Sequence, residues 1–284
     1  MKKSFINVMR AGLARFSVGG RGLTVFQDDV FITSYPKSGN TWVRFLAAHI
    51  LWPDGSTDFA NIDQRIPSIY AHSDRALTSF RRPRILKSHE YFDPRYPKTI
   101  YIVRDFRSVV VSYYYHFLRR GEMGYLQRTY PDYDIPNVLD SLSKTDFTRL
   151  VLKGWVDAYG TWQEHVLSWV RVRQNQPDRF YLLRYEDLQV DGLNTLRKMA
   201  HFLGCSLSEE RLSRVLELSN FTNLQKLEQQ TGQNWVGRQK AKEKDMPFIR
   251  SGRIDEWEEF FDQESLDAIM ENFGPTMAEF GYLA

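Results

Sequence analysis

Cysteine is nearly absent: Cys205 is the only one in 284 residues. One thiol closes no internal disulfide, so folding does not require an oxidising compartment. Cys205 follows Phe202-Leu203-Gly204 at an expected helix end, with nothing beside it to lower its pKa, and reads as a packing residue. Long apolar runs are missing too, since none approaches the ~18 residues of a membrane span. Acids are missing from Met1 to Arg21, but Arg10 and Arg15 interrupt the apolar stretch that a signal peptide needs after Lys2 and Lys3. This start reads as a basic leader over residues 1–27, ahead of a single domain over 28–284, and the chain is expected to be cytoplasmic. A strong excess of one charge is also lacking. Lys and Arg number 38 against 35 Asp and Glu, a net charge of +3, which gives no argument for a nucleic-acid partner.

What is present is ordinary globular material, with 42% apolar and 26% charged residues, enough to bury a substantial core. Short apolar or β-branched runs at 29–35, 84–88, 99–103 and 179–185 read as strands. Helical periodicity covers 40–52, 106–120, 147–170, 192–203 and 208–218. Residues 53–83 and 121–146 read as irregular, and 222–249 as a mobile flap. The end, from residue 265, reads as helix with a break at Gly274-Pro275. Strands alternating with helices imply an α/β fold of three layers, a central parallel sheet flanked by helices. Ligands of such sheets bind beyond the carboxyl ends of the strands.

The first strand runs into Ser34-Tyr35-Pro36-Lys37-Ser38-Gly39-Asn40-Thr41-Trp42 and then a helix. Gly39 permits close backbone approach, the helix start offers free amides, Lys37 adds a charge, and Ser38 and Thr41 add hydroxyls. Together these form an anion site. The order is not that of a Walker A loop, because the lysine precedes the glycine, and no Mg²⁺-binding pair accompanies it. The third strand ends at Arg104, with Ser112 eight residues on. An arginine there holds a phosphate bidentately, or simply pairs with Asp105 on the surface. The second strand ends in Lys87-Ser88-His89. Of six histidines, His89 alone lies on the ligand edge of the sheet beside another basic residue. His49, His116, His165 and His201 fall on helices and His72 in a loop, none with a partner pattern.

Tyr-Pro-Lys-Ser-Gly-Asn-Thr-Trp after one strand, and Val-Arg-Asp with Val-Val-Ser-Tyr-Tyr five residues later after another, resemble the sulfotransferase family over about residues 28–260. The resemblance implies a P-loop-NTPase-like sulfotransferase fold and 3′-phosphoadenosine 5′-phosphosulfate (PAPS) as sulfuryl donor, without a metal. It implies that Lys37, Ser38, Gly39, Asn40, Thr41 and Trp42 form the 5′-phosphosulfate loop, with Asn40 where many members have Thr. Arg104 and Ser112 look like the 3′-phosphate pair, and Tyr185 like the tyrosine near adenine. Ser219-Asn220-Phe221 resembles the short stretch whose phenylalanine stacks on adenine. Arg250-Ser251-Gly252 resembles the family's Arg-Lys-Gly segment over the 3′-phosphate, with Ser251 in place of lysine and Asp255-Glu256-Trp257 where a glycine is expected. Arg253 is the candidate for the missing charge. No dimerisation motif is recognisable after Trp257, so the oligomeric state is open.

The resemblance also makes His89 the general base for an acceptor hydroxyl, a task suited to neutral imidazole at pH 7. Lys37 would stabilise the leaving phosphate, Lys87 the sulfuryl oxygens, and Ser112 would hold Lys37 back until the acceptor binds. The expected reaction is in-line transfer of sulfuryl to an alcohol, phenol or glycan-type hydroxyl of a small molecule, releasing 3′-phosphoadenosine 5′-phosphate (PAP). A P-loop phosphotransferase and a non-catalytic adenine-nucleotide module are the alternatives. The acceptor pocket is expected from segments 53–83, 121–146 and 222–249, with Tyr113, Tyr114, Phe117 and Tyr125 as either its lining or core.

Overall fold

The structure, a computed structural model, describes residues 22–54, 56–120, 142–232, 235 and 246–283. The expected leader, apart from residues 22–27, most of the 121–146 segment, Tyr125 with it, and much of the 222–249 segment lie outside these. The four expected strands are present: β1 Val30–Ser34, β2 Ile85–Ser88, β3 Lys98–Val103 and β4 Phe180–Arg184. They form one parallel sheet in the order β2-β1-β3-β4. Registers such as Thr33 opposite Ser88, Ser34 opposite Ile102 and Val103 opposite Arg184 bring the carboxyl ends of all four strands to one edge. The chain leaves β1 toward β2 and later returns to β3 on the other side of β1. That reversal opens a crevice at the end of β1, where a ligand fits.

The helices are α1 Asn40–Leu51, α2 Ile62–Arg65, α3 Asp74–Thr78, α4 Phe106–Arg120, α5 Lys144–Leu152 and α6 Trp162–Arg173. They continue as α7 Asp187–Val190, α8 Gly192–Phe202, α9 Glu209–Leu218, α10 Phe221–Thr231, α11 Trp257–Phe260 and α12 Gln263–Glu279. The sheet is buried on both faces, which is why its strands read as continuous apolar runs rather than alternating ones. Phe31, Leu86, Tyr101 and Val103 face one cluster with Val109, Phe147, Trp162, Trp169 and Phe273. Val30, Ile32, Ile100 and Ile102 face the other, with Val43, Leu46, Leu196, Met199 and Val215. Cys205 packs partly buried against this second cluster, as its sequence context suggests.

Four expectations about local structure are corrected. The stretch 147–170 is not one helix. Gly154 and Gly160 take left-handed φ of 66° and 64°, and a Cβ at Gly154 would lie 2.4 Å from the Gly160 backbone. The chain turns there, and Thr161 and Glu164 start α6 with a reciprocal capping box. Residues 221–231 are helix rather than flap, capped by the Asn220 side chain on the Asn223 amide. Within 53–83, the Ser73 hydroxyl caps α3, and Pro67 and Ile69 bond to the backbone of Lys87 along β2. Finally, α12 continues through Pro275, because Ile269, Phe273 and Met277 are buried on the core before and after it. That burial outweighs the ~3 kcal/mol that an interior proline costs.

Candidate active site

A cavity of about 630 Å³ opens at the carboxyl edge of the sheet. Its floor is the turn between β1 and α1. Lys37 takes a left-handed φ of 67° and Gly39 one of 93°. A Cβ at Gly39 would lie 2.4 Å from the Tyr185 ring, so only glycine lets the turn approach that tyrosine. Val43 N–H, which donates to Gly39 O at 3.2 Å, is the first amide of α1 with an intrahelical acceptor. The amides before it face the ligand edge, where the helix dipole favours an anion.

The side chains of this loop divide. Lys37, Thr41 and Trp42 line the cavity. Trp42 Nε1 donates to Ser219 O at 2.8 Å, and its ring meets Tyr185 edge-on at 5.2 Å. Asn40 lines the cavity but turns its amide inward: Nδ2 donates to Ile32 O and Ser34 Oγ at 3.2 Å and to Ser88 O at 3.4 Å. It splices the loop to β1 and β2 and leaves its backbone amide as the group for a ligand. Ser38 and Ser219 lie behind the wall, fully buried, with hydroxyls that have no hydrogen-bond partner among the described residues. Burial and the nearby charges of Arg119, Arg104, Lys87 and Arg120 bring the Lys37 pKa down to about 7.

Arg104 follows β3 and is 8% exposed. It does not pair with Asp105, which binds Arg107 at 2.6 Å instead. Its guanidinium lies over the Tyr185 ring at 4.2 Å and donates to Lys37 O at 3.3 Å and to Arg253 O at 3.2 Å. Its Nε is buried without a partner among the described residues. Ser112 lines the cavity from α4. No hydrogen bond joins it to Lys37, whose ammonium lies 5.1 Å from the centre of the Phe248 ring. Tyr185 donates to Gly252 O at 3.2 Å. Gly252 has a φ of 71°, and a Cβ there would lie 2.0 Å from the Phe221 ring. Tyr185, Phe221 and Gly252 thus form one side of the cavity. Arg250 and Ser251 line it as well, but both are engaged by Glu256. Arg253 does not offer its charge to the cavity: its guanidinium bonds Asp255 and Glu259 at 2.9 Å.

His89 stands at the end of β2. Its Nδ1 lies 2.8 Å from Ser34 O. A carbonyl only accepts, so Nδ1 carries the proton and Nε2 keeps its lone pair. Burial, with a lesser push from the Lys87 charge, holds the His89 pKa well below 6.5, so the ring is neutral at pH 7. Lys87, whose own pKa burial and the Arg44 charge lower to about 8, lines the cavity beside it. Tyr70 lies nearly parallel to the imidazole at 6.0 Å, and Tyr159 lies edge-on at 5.8 Å.

Sequence reasoning missed several of these neighbours. His165 is buried on α6 and bonds His89 O through Nε2 at 3.0 Å, while its Nδ1 accepts from the Tyr101 hydroxyl at 2.8 Å. His116 lines the cavity from α4. Asp157 lines it from the turn hidden inside the expected long helix. It accepts from the Tyr159 amide at 2.7 Å and from the Tyr113 hydroxyl, and burial raises its pKa to about 6. The glycine pair at 154 and 160 was the signal available for that turn. Of the expected aromatic lining, Tyr113 and Phe117 are on the wall, whereas Tyr114 packs on Phe147 and Phe260.

Among the described residues no three His, Cys, Asp or Glu side chains cluster to hold a metal ion, and no helix is long and apolar enough to cross a membrane. Solved structures share the fold. A mouse sulfotransferase complexed with PAP superposes with a TM-score of 0.66 at 23% identity, covering 90% of this chain and 86% of that one. A retinol dehydratase complexed with androsterone and PAP gives 0.69 at 19% identity, covering 95% and 85%. In sequence, sulfotransferase 2B1 of Mus musculus is 30% identical over 263 residues, 86% of this chain and 71% of the relative. Sulfotransferase 1E1 of Cavia porcellus is 28% identical over 251 residues, 82% and 78%. The profile of the sulfotransferase domain matches residues 27–281, the whole sheet and the whole cavity edge, and the chain belongs to the sulfotransferase family.

Proposed function

We propose that this enzyme transfers the sulfuryl group of PAPS to a hydroxyl of a small-molecule acceptor and releases PAP, with His89 as general base. One observation carries the reading: the unprotonated Nε2 of a neutral histidine and the amide-rich, lysine-bearing turn before α1 share a single cavity. PAP is present in the complexes of the mouse sulfotransferase and the retinol dehydratase, and retinol, an alcohol, in another complex of the latter.

The residues fit a doubly phosphorylated nucleotide. Arg104, which lines the cavity, has a buried Nε with no acceptor among the described residues, and the first amides of α1 have no intrahelical one. Two aromatic rings, Tyr185 and Phe221, suit a purine. Bound there, PAPS supplies an activated sulfuryl group. His89 accepts the acceptor's hydroxyl proton at Nε2, while Ser34 O holds the Nδ1 proton and stabilises the imidazolium that forms. His165 fixes the backbone of His89 and acts as a positioning residue. Lys37 and the α1 amides oppose the negative charge left on phosphate, and Lys87, largely protonated at pH 7, opposes that on the sulfuryl oxygens. Arg104 ties the loop to the Arg253 carbonyl, so a 3′-phosphate at its guanidinium also orders the closing segment. Tyr70, Tyr159, Tyr113 and Phe117 form the acceptor side, where Tyr70 and Tyr159 pack edge to face at 6.2 Å beside His89.

Titration calorimetry with PAP, ADP and ATP, each with and without Mg²⁺, tests the cofactor half of this reading. Strong, metal-independent preference for PAP is the expected result. Preference for ATP with Mg²⁺ would overturn it.

A further inference from the structure

The closing segment carries four acids, Asp255, Glu256, Glu258 and Glu259, and of these only Glu256 lines the cavity. Asp255 and Glu259 point outward and hold Arg253, with side chains 55% and 70% exposed. Glu256 is 18% exposed and lines the cavity beside Arg250, Ser251 and Arg104. Both Nη atoms of Arg250 donate to it, one to each carboxylate oxygen, and Ser251 Oγ donates to Oε2 at 3.0 Å. The Arg250 guanidinium also lies over Tyr115, 3.8 Å from the ring centre. Burial opposes ionisation of Glu256, but the Arg250 bonds and charge and the Ser251 hydroxyl prevail and hold its carboxyl below the ordinary value. A planar carboxylate on the fork of an arginine, flanked by a hydroxyl donor, occupies the position and uses the donors that a phosphate would use.

We infer that Glu256 is a built-in competitor for the cofactor's 3′-phosphate, which must displace it from Arg250 and Ser251 on binding and which it helps to expel on release. The inference rests on the reading that Arg250 and Ser251 meet that phosphate. Glu256 thereby sets how tightly the enzyme holds PAP without touching the reacting atoms. A guanidinium already neutralised by its own chain binds phosphate at the cost of breaking that pair, and the freed carboxylate then lies close to a dianion. Both effects weaken binding of the 3′-phosphate and leave the 5′ side alone.

The test compares PAP with 5′-AMP, which lacks the 3′-phosphate, by calorimetry on wild type, Glu256→Gln and Glu264→Gln. Glu264 is an exposed partner of Arg149 and controls for net charge. Glu256→Gln is expected to tighten PAP about tenfold, with 5′-AMP unchanged, and to slow PAP release in stopped flow by a similar factor. Glu264→Gln is expected to leave both nucleotides unaffected. Unchanged or weaker PAP binding in Glu256→Gln shows that the pair supports the site and overturns the inference, as does an equal shift for both nucleotides. If Glu256→Gln fails to fold, Glu256→Ala carries the same expectation and the same refutation. A wild type that binds PAP no better than 5′-AMP would instead remove the underlying assignment of Arg250, an outcome the two ligands separate from the first.

Discussion

Lys37 offers the most quantitative test of the anion site. Its pKa of about 7 comes first from burial and then from the surrounding charges of Arg119, Arg104, Lys87 and Arg120. An ordinary lysine keeps its charge to beyond pH 10. With a pKa of about 7, about half of Lys37 in the free enzyme is unprotonated at pH 7, and on the proposed reading the phosphate of the ligand needs the ammonium. Binding therefore takes up a proton, and affinity falls as pH rises. At pH 8.5 only ~3% of a group with a pKa of 7 is protonated, so PAP is expected to bind roughly fifteenfold more weakly than at pH 7. Lys87, at about 8, adds at most a further factor of ~4 if it also touches the ligand. The window lies above most of the ligand's own titration, since the second ionisation of a phosphate monoester has its midpoint near pH 6 and is about nine-tenths complete at pH 7. Calorimetry across pH 7.0–8.5, in two buffers of different ionisation enthalpy, reads both the dissociation constant and the proton uptake. Lys37→Arg keeps a permanent charge and is expected to remove most of the slope. A wild-type affinity independent of pH, or an equal slope in Lys37→Arg, would refute the reasoning.

Four further expectations rest on the same geometry. His89→Ala should lower kcat by ~10² or more while PAP affinity survives. Because burial holds the His89 pKa well below 6.5, the acid limb of wild-type kcat/KM should lie well below that ordinary value; a limb at 6.5 would count against His89 as the base. Arg104→Ala should weaken PAP by about 10- to 100-fold and 5′-AMP by no more than a few-fold, and equal losses would remove Arg104 from the 3′-phosphate. Gly252→Ala places a Cβ 2.0 Å from Phe221 at a φ of 71°, so the melting temperature should drop by about 5 °C and PAP binding should weaken with it; an unshifted melting curve would show that the ring is free to move.

The sequence by itself determined the sheet and the ligand edge. β1 and β3 are short apolar or β-branched runs buried on both faces, with β4 partly buried beside them, and a local pattern suffices to find them. The turn before α1 was legible because Lys37, Gly39 and Thr41 sit within five residues, and His89 because it directly ends a strand. What the tertiary structure decided depends on contacts between distant segments. The stretch 147–170 has helical periodicity, but Gly154 and Gly160 pack backbone on backbone, and the resulting turn delivers Asp157 and Tyr159 to the cavity. Pro275 reads as a helix break until the burial of Phe273 and Met277 is weighed against it. Asn40 looks like a loop ligand until its amide meets carbonyls of β1 and β2. His165 reads as one more helical histidine until it meets the carbonyl of a residue 76 positions away. Arg250 looks like a free cation until the chain folds Glu256 onto it. Local pattern fixes which residues reach the edge of the sheet; which of their charges and hydrogen bonds remain for a ligand is settled only when the other segments have taken theirs.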